Sequence, residues 1–445
     1  MRSILNTALE GLNGTPTDYG FLSREEEEVL AEDAAQASDE AATGIEESER
    51  MLGLADGLED LAEIADGITD ATQTETQLLT VAGNMAVAGS DVPAEEIVPA
   101  MEGYIGKRIA VESLRERASA IWKAILAQIK KVWAWIEKFF YSIFGTIPGL
   151  RKSLKDLRSR VDSTNGKKLE DKKLTISSGI KALSVDYSTP KNGADITKGL
   201  KGLLDEVTDV YGNYTDKIAK VGEVVADHIA DFDPEKAHDS VEKFLKAVTT
   251  TFGGVNLQGG KSAGARFPGF VSAQSAPIMG NVSLFLKKVE SSGARDHGNN
   301  VLNQIERARQ MGFELHATSD KEKSLPNDFQ MDTMTAAQMH SSIDDMEKIL
   351  DKLEDFNRGK RTAEMKKTRT RLESASDKAT KAVEKAEKSD EAGDRATVAY
   401  YRAMLNYNQA YARWCQNPSV QLLNSALASV KASAAVISKS ISAYK

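Results

Sequence analysis

The chain has 445 residues, a single cysteine and a net charge of −9 at neutral pH. One cysteine excludes an intramolecular disulfide and a cysteine-based metal site, and the length permits a sizeable core. Residues 1–112 include 5 basic and 25 acidic residues, whereas residues 113–445 include 52 basic and 41 acidic residues. An acidic leader with a net charge of −20 thus precedes a body with a net charge of +11, which predicts that the body associates with a polyanion.

The leader, 1–112, is predicted to be only partly structured. Residues 1–50 are rich in Glu and Ala and nearly lack aromatic residues, so we expect them to be largely disordered. Residues 51–112 contain helical pieces. The first of these carries apolar side chains three or four residues apart, namely Leu54, Leu58, Leu61, Ile64 and Ile68.

Long amphipathic and basic helices are predicted over 113–164. One set of apolar residues recurs three or four apart and forms a stripe along the helix: Trp122, Ile125, Ile129, Val132, Ile136, Phe139 and Ile143. A second set, seven residues apart, makes this stripe broader: Leu126, Trp133 and Phe140. Gly145 and Pro148 predict that this helix ends at GTIPGL, and the basic helix RKSLKDLRSRVD follows. The stripe indicates a core or coiled-coil seam, or alternatively a helix that lies on a membrane surface.

The rest of the chain is also predicted to be mainly helical. The central region, 165–332, contains a small extended segment in LTISSGIKALSVDYS, a long helix over 195–231, a glycine-rich loop and helices around 282–295 and 300–311. The C-terminal region, 333–445, ends in a helical hairpin that turns at Asn417-Pro418. The predicted fold class is therefore mainly α, an elongated multi-helix bundle after an acidic, partly disordered leader.

Motifs for catalysis or cofactor binding are not recognised in the sequence. GGVNLQGGKS ends like a phosphate-binding loop, but Val255 stands where the first glycine should be. The five histidines show no zinc-binding spacing. We therefore expect no catalytic residue, no metal and no cofactor, and a protein that is not an enzyme.

The order of segments resembles a known family. GLEDLAEIADG, VPAMEGYIGKRIAVESL, IWKAILAQIKKVWAWIEKFFYSIFG and LRKSLKDLRSR follow one another as in the internal head proteins of phiKZ-like giant bacteriophages. The resemblance implies a virion protein inside the phage capsid that is present in the host cytoplasm before assembly. It also implies a precursor that a prohead protease cleaves after a small-x-Glu motif, and a mature protein that lies with the packaged DNA and other internal head proteins.

Two motifs near the charge boundary are candidate cleavage sites: Ala100-Met101-Glu102 and Ala110-Val111-Glu112. Other segments, such as Ser38-Asp39-Glu40, match as well, so the motif alone does not choose between them. Non-specific contacts to DNA phosphates are expected from basic residues of the amphipathic and basic helices, namely Lys123, Lys130, Lys131, Arg151, Lys152, Arg158 and Arg160.

Two other functions remain open from the sequence. The first is a membrane-active, pore-forming or toxin-like protein that uses the Trp- and Lys-bearing helix over 118–144. The second is a cytoplasmic helical scaffold without processing. Dye release from vesicles would favour the first, and salt-sensitive DNA binding would favour the head protein.

Overall fold

A computed structural model describes residues 24–67, 81, 103–233, 236–254, 257, 260–263, 267, 270–289, 305, 307–318, 324–358, 360–386 and 392–444. The chain divides into two compact units. The first is Ala37–Glu137, and Lys138–Lys445 lie in the second.

Two long helices supply the described part of the first unit. Helix α1 is Arg24–Gly67, and helix α2 is Gly103–Asp162, which continues into the second unit. The structure differs from the expectation for 1–50 because α1 is already helical at Arg24. This part of the leader is helical because its apolar residues are spaced so that they lie on one face of a helix, where they are buried. The buried residues of this face are Ala37, Ala41, Ile45, Leu52, Ala55, Leu58, Leu61, Ala62 and Ala65.

The prediction that the amphipathic helix ends at GTIPGL was wrong, because α2 runs through Pro148 for 60 residues. A proline inside a helix removes one backbone hydrogen bond and normally kinks or ends the helix. Burial outweighs this cost here, since Ile147 is fully buried beside the proline. The Thr146 hydroxyl also donates a hydrogen bond of 2.7 Å to the Ile143 carbonyl within the same turn.

Helices dominate the second unit, as predicted, and the mainly α fold class is confirmed. The helix expected over 195–231 contains a π-helical turn, Val210–Tyr214, which separates α4 from α5. The turn predicted at Asn417-Pro418 separates helices α10 and α11. The helices that follow α2 are α3 (Ile180–Leu183), α4 (Gly193–Asp209), α5 (Thr215–Ala230), α6 (Ala237–Gly253), α7 (Ala336–Arg358), α8 (Lys360–Ala386), α9 (Ala392–Leu405), α10 (Tyr407–Gln416) and α11 (Ser419–Ser442).

Two small antiparallel sheets complete this unit. Strand β1 (Lys173–Ile176), within the predicted extended segment, pairs with β6 (Phe329–Asp332). A four-stranded sheet has the order β2-β3-β4-β5, with strands at Lys261–Ser262, Val271–Gln274, Val282–Lys288 and Gly312–Ala317.

This second sheet overturns two predictions. The helix expected around 282–295 begins instead with strand β4, and 165–195 is not the only segment with strands. VSLFLKK is buried over four successive residues because β4 is flanked by β3 and β5. A short continuous apolar run has neither a clear twofold nor a helical period, so its sequence pattern cannot distinguish a central strand from a helix.

Aromatic side chains form the centre of the second unit. Trp414 donates from Nε1 to the Met311 carbonyl at 2.6 Å, and its ring packs at a tilt against Phe252 with ring centroids 5.4 Å apart. Tyr211 and Phe356 are both buried, with ring centroids 4.8 Å apart. Such rings bury large apolar areas while their polar atoms keep hydrogen bonds, so they fix how the helices pack.

Candidate functional site

Helix α2 carries nearly all the residues that the sequence singled out, and its first part lies in the unit Ala37–Glu137. The apolar stripe predicted there is buried, as are the residues that continue it in the second unit. None of the eight stripe residues named for this site is more than 8% exposed: Trp122, Ile125, Ile129, Val132, Trp133 and Ile136 in the first unit, and Phe139 and Phe140 in the second.

Helix α1 covers the stripe within the first unit at a point marked by a glycine. A methyl carbon built on Gly44 would lie 2.6 Å from Trp135 Cζ3 and 2.7 Å from Val132 Cγ2. Real Cβ atoms essentially never come that close to another atom, so any other residue would require Trp135 and Val132, or the helices that carry them, to shift. By contrast, a Cβ on Gly53, one of the other glycines of α1, would meet nothing within 4 Å.

Charge is complementary between these two helices of the first unit. Residues 37–67 hold 10 acidic residues and 1 basic residue, whereas 103–137 hold 3 acidic and 7 basic residues. Lys123, Lys130 and Lys131 are exposed beside the buried stripe. The acidic leader therefore lies against a basic helix through an apolar contact, which the sequence analysis did not anticipate for residues before 51.

The two candidate cleavage motifs differ in what the structure says of them. Ala100, Met101 and Glu102 lie outside the described residues. Ala110, Val111 and Glu112 lie within helix α2, and Val111 is only 3% exposed. Proteases bind their substrates in an extended conformation at accessible sites, so a cut after Glu112 requires local unfolding of α2.

The second part of α2 runs antiparallel to α7. Phe140 contacts Phe356 with ring centroids 5.6 Å apart. Near the other end of the contact, His340 Nε2 lies 3.2 Å from Asp162 Oδ1. The aromatic residues of the stripe in this unit therefore belong to the core.

Two of the arginines expected to contact DNA are bound to acidic residues of α7. Arg151 Nη2 lies 2.6 Å from Asp351 Oδ1 and 3.1 Å from Glu354 Oε2. Burial opposes the charged form of Arg151, but the hydrogen bond to Asp351 and the charge of Glu354 outweigh it and raise its pKa.

Arg158 repeats this arrangement two turns later. Its Nη2 lies 2.7 Å from Asp344 Oδ1 and 2.8 Å from Glu347 Oε2, and the hydrogen bond to Asp344 raises the pKa of Arg158. Each arginine thus faces two carboxylates, which makes it a poor partner for a further anion.

The other predicted phosphate contacts are exposed. Lys123, Lys130, Lys131 and Lys152 all lie at the surface of α2. Arg160, also exposed, donates from Nη2 to Ser438 Oγ at 3.2 Å. The basic residues are therefore divided between structural ion pairs and surface positions.

The four-stranded sheet carries a charged cluster for which the sequence has no recognisable motif. Glu314 lies 2.6 Å from Lys287 Nζ and 2.7 Å from His316 Nε2, and Lys287 is 5.1 Å from the centroid of the Phe267 ring. Burial would raise the pKa of Glu314, but the hydrogen bond from His316 and the charge of Lys287 lower it to about 2. The strand GFELHA places Glu314 and His316 two residues apart, on one face of the sheet.

The carboxyl group of Glu206 in α4 has a pKa that is shifted in the opposite direction from that of Glu314. Burial, reinforced by the charge of Asp209, raises its pKa to about 7 despite a hydrogen bond with Ser275. Neither Glu206 nor Glu314 belongs to a group that could hold a metal, since no cluster of three or more His, Cys, Asp or Glu does so among the described residues.

One stretch of the described chain, Val398–Ser442, is long and apolar enough to cross a membrane, with a mean hydropathy of 1.3 in its best window. However, α9, α10 and α11 share this stretch, and 56% of that window is buried inside the protein. Core helices of soluble proteins pass the same test, so the stretch is weak evidence for a membrane span. The buried Cys415 lies within it.

Comparison with known proteins identifies the family. No curated protein and no solved structure matches the chain. A family model described as phiKZ-like phage internal head proteins matches residues 25–439, which include both compact units almost entirely. The chain therefore belongs to the phiKZ-like phage internal head proteins, structural proteins that lie inside the virion capsid.

Proposed function

We propose that this internal head protein is made as a precursor whose acidic leader is removed, leaving a basic body that lies with the packaged DNA. The observation that carries the proposal is the change in the sign of the charge between 1–112 and 113–445. A cationic body neutralises phosphates and releases counterions from the DNA, whereas the uncut chain, with its net charge of −9, is repelled by DNA at long range.

Glu102 is the proposed cleavage position. It immediately precedes Gly103, so every described residue of α2 lies after such a cut. Cleavage after Glu112 would instead require unfolding of a helical turn that contains the buried Val111 and Leu114. A cut after Glu102 removes 24 acidic and 3 basic residues, a net charge of −21.

Exposure supports five of the proposed DNA contacts. Lys123, Lys130, Lys131, Lys152 and Arg160 remain candidates, because they lie at the surface, where the phosphate backbone can approach them. Arg151 and Arg158 are now assigned to the contact between α2 and α7. Binding would be independent of DNA sequence, since phosphate contacts carry no base information.

The membrane-active alternative has less support. It requires the Trp-bearing stripe over 118–144 to face lipid, yet Trp122 and Trp133 are 7% and 5% exposed. Removal of α1 would have to precede such a contact. Any membrane contact would therefore also depend on processing of the leader.

Quantitative mass spectrometry of mature virions tests the processing. We expect abundant peptides from 113–445 and almost none from 1–100, because the leader is separated from the packaged body. Labelling of free amino termini before digestion should find Gly103 as the new first residue, whereas Ser113 would indicate the cut after Glu112. Leader peptides at the abundance of body peptides would refute the proposal.

A further inference from the structure

The apolar stripe of α2 has the spacing of a coiled-coil seam. From Trp122, its members fall alternately on the two inward positions of a seven-residue repeat: Trp122, Ile125, Ile129, Val132 and Ile136. β-branched residues at the first inward position are frequent in pairs of helices, and β-branched residues at both positions, as in α2, are frequent in groups of three or four. The pattern therefore suits self-association of α2, of which a pair is the smallest form.

The positions that flank this seam carry no charge. In the same repeat, Leu126 and Trp133 stand on one side, and Gln128 and Trp135 stand on the other. Lys123, Lys130 and Lys131 fall on outer positions instead. Flanking charges normally set which helices can pair, so two identical α2 helices would meet without repulsion along the seam.

Helix α1 meets this seam at a glycine, since Gly44 lies against Trp135 and Val132. Of the nine buried apolar residues of α1, five are alanines and four are Ile or Leu. Alanine buries less apolar area than isoleucine or valine, and buried area sets the strength of such a contact. A second α2 would therefore cover the stripe with more apolar area than α1 does.

We propose that α1 is a removable cover, and that the uncovered stripe pairs with the same stripe of a second copy of this chain. The proposal rests on the leader removal proposed above for its place in phage assembly. In the precursor, the cover prevents premature pairing. After removal of the leader, pairing through α2 joins two bodies and places their exposed lysines on the outside of the pair.

The experiment uses the full chain and two glycine variants. Gly44→Leu places a side chain into Trp135 and Val132, whereas Gly53→Leu adds the same side chain where a Cβ meets nothing within 4 Å. Both variants gain the same helix propensity, so only displacement of α1 distinguishes them. We expect light scattering to give Gly44→Leu about twice the mass of the wild-type chain, because two uncovered seams pair; Gly53→Leu should keep the wild-type mass.

A second substitution tests whether the seam makes the contact. Gly44→Leu combined with Ile129→Gln should return to the wild-type mass, because a polar residue then lies in the centre of the seam. If Gly44→Leu does not fold, Gly44→Ala serves, since its Cβ alone would lie 2.6 Å from Trp135 Cζ3. An unchanged mass for a folded Gly44 variant would overturn the proposal, as would association that survives Ile129→Gln. No protease is involved, so this result and the virion peptide result can fail independently.

Discussion

The pKa values of individual carboxyl groups in this protein depend strongly on their surroundings, which the sequence does not reveal. Glu206 and Glu314 are the same residue type, yet burial beside Asp209 raises the pKa of Glu206 to about 7, whereas His316 and Lys287 lower that of Glu314 to about 2. A chain with 66 acidic residues gives no sequence signal for either. His316 and Asp209 lie in the same strand or helix as the carboxyl groups that they affect, but Lys287 lies on the neighbouring strand, and the burial of both carboxyl groups depends on the fold.

Glu206→Gln should change how the stability depends on pH. The pKa of Glu206 is about 7 in the folded protein against an ordinary value of 4.5, so its stabilising contribution is present below pH 4.5 and is lost as the pH rises through 7. Glutamine does not ionise, so the variant does not lose this contribution as the pH rises. The free energy of unfolding of the variant minus that of the wild type should therefore be larger at pH 8 than at pH 4, by on the order of 2 kcal/mol. Urea unfolding at both pH values measures this.

Thr208→Ala, in the same helix as Glu206, provides the control. It removes no ionisable group, so its difference from the wild type should be nearly the same at pH 4 and pH 8. A difference for Glu206→Gln that is equal at the two pH values would contradict the assignment.

At the scale of whole elements, the sequence predicted helices well where an apolar stripe repeats over many turns. The stripe of α2 follows from its spacing, as does the helix over 195–231 that the structure divides into α4 and α5. Boundaries and short strands were missed because tertiary contacts decide them. Helix α2 continues through Pro148 because the burial of neighbouring residues outweighs the cost of the proline, and β4 is a strand because β3 and β5 flank it.

Phe356 of α7 should be central to the contact between α2 and α7. It is fully buried, and the centroids of Phe140 and Tyr211 lie 5.6 Å and 4.8 Å from its own. Phe356→Ala leaves a cavity, so we expect a loss of about 3–5 kcal/mol in the free energy of unfolding, measured by urea denaturation. Tyr141→Ala removes an aromatic ring of α2 that is 46% exposed and should cost much less. Equal losses would show that Phe356 does not anchor α7.

At the scale of the molecule, the distribution of charge was readable from the sequence, but the structure of the leader was not. Residues 1–112 and 113–445 differ by 31 in net charge, from −20 to +11, and this difference needs no fold. The packing of α1 on α2 depends on Gly44, a residue with no distinctive sequence context. The leader of this phage internal head protein is therefore both a set of negative charges and a cover for the Trp-bearing stripe.

DNA binding over a range of salt concentrations tests most directly whether loss of the leader turns this protein into a partner of the packaged genome. The recombinant full chain is compared with the protein purified from mature virions. We expect the virion form to bind duplex DNA at least about tenfold more tightly at low salt, with log affinity falling linearly against log salt concentration. Equal affinities for the two forms, or an affinity of the virion form that does not change with salt, would contradict this function.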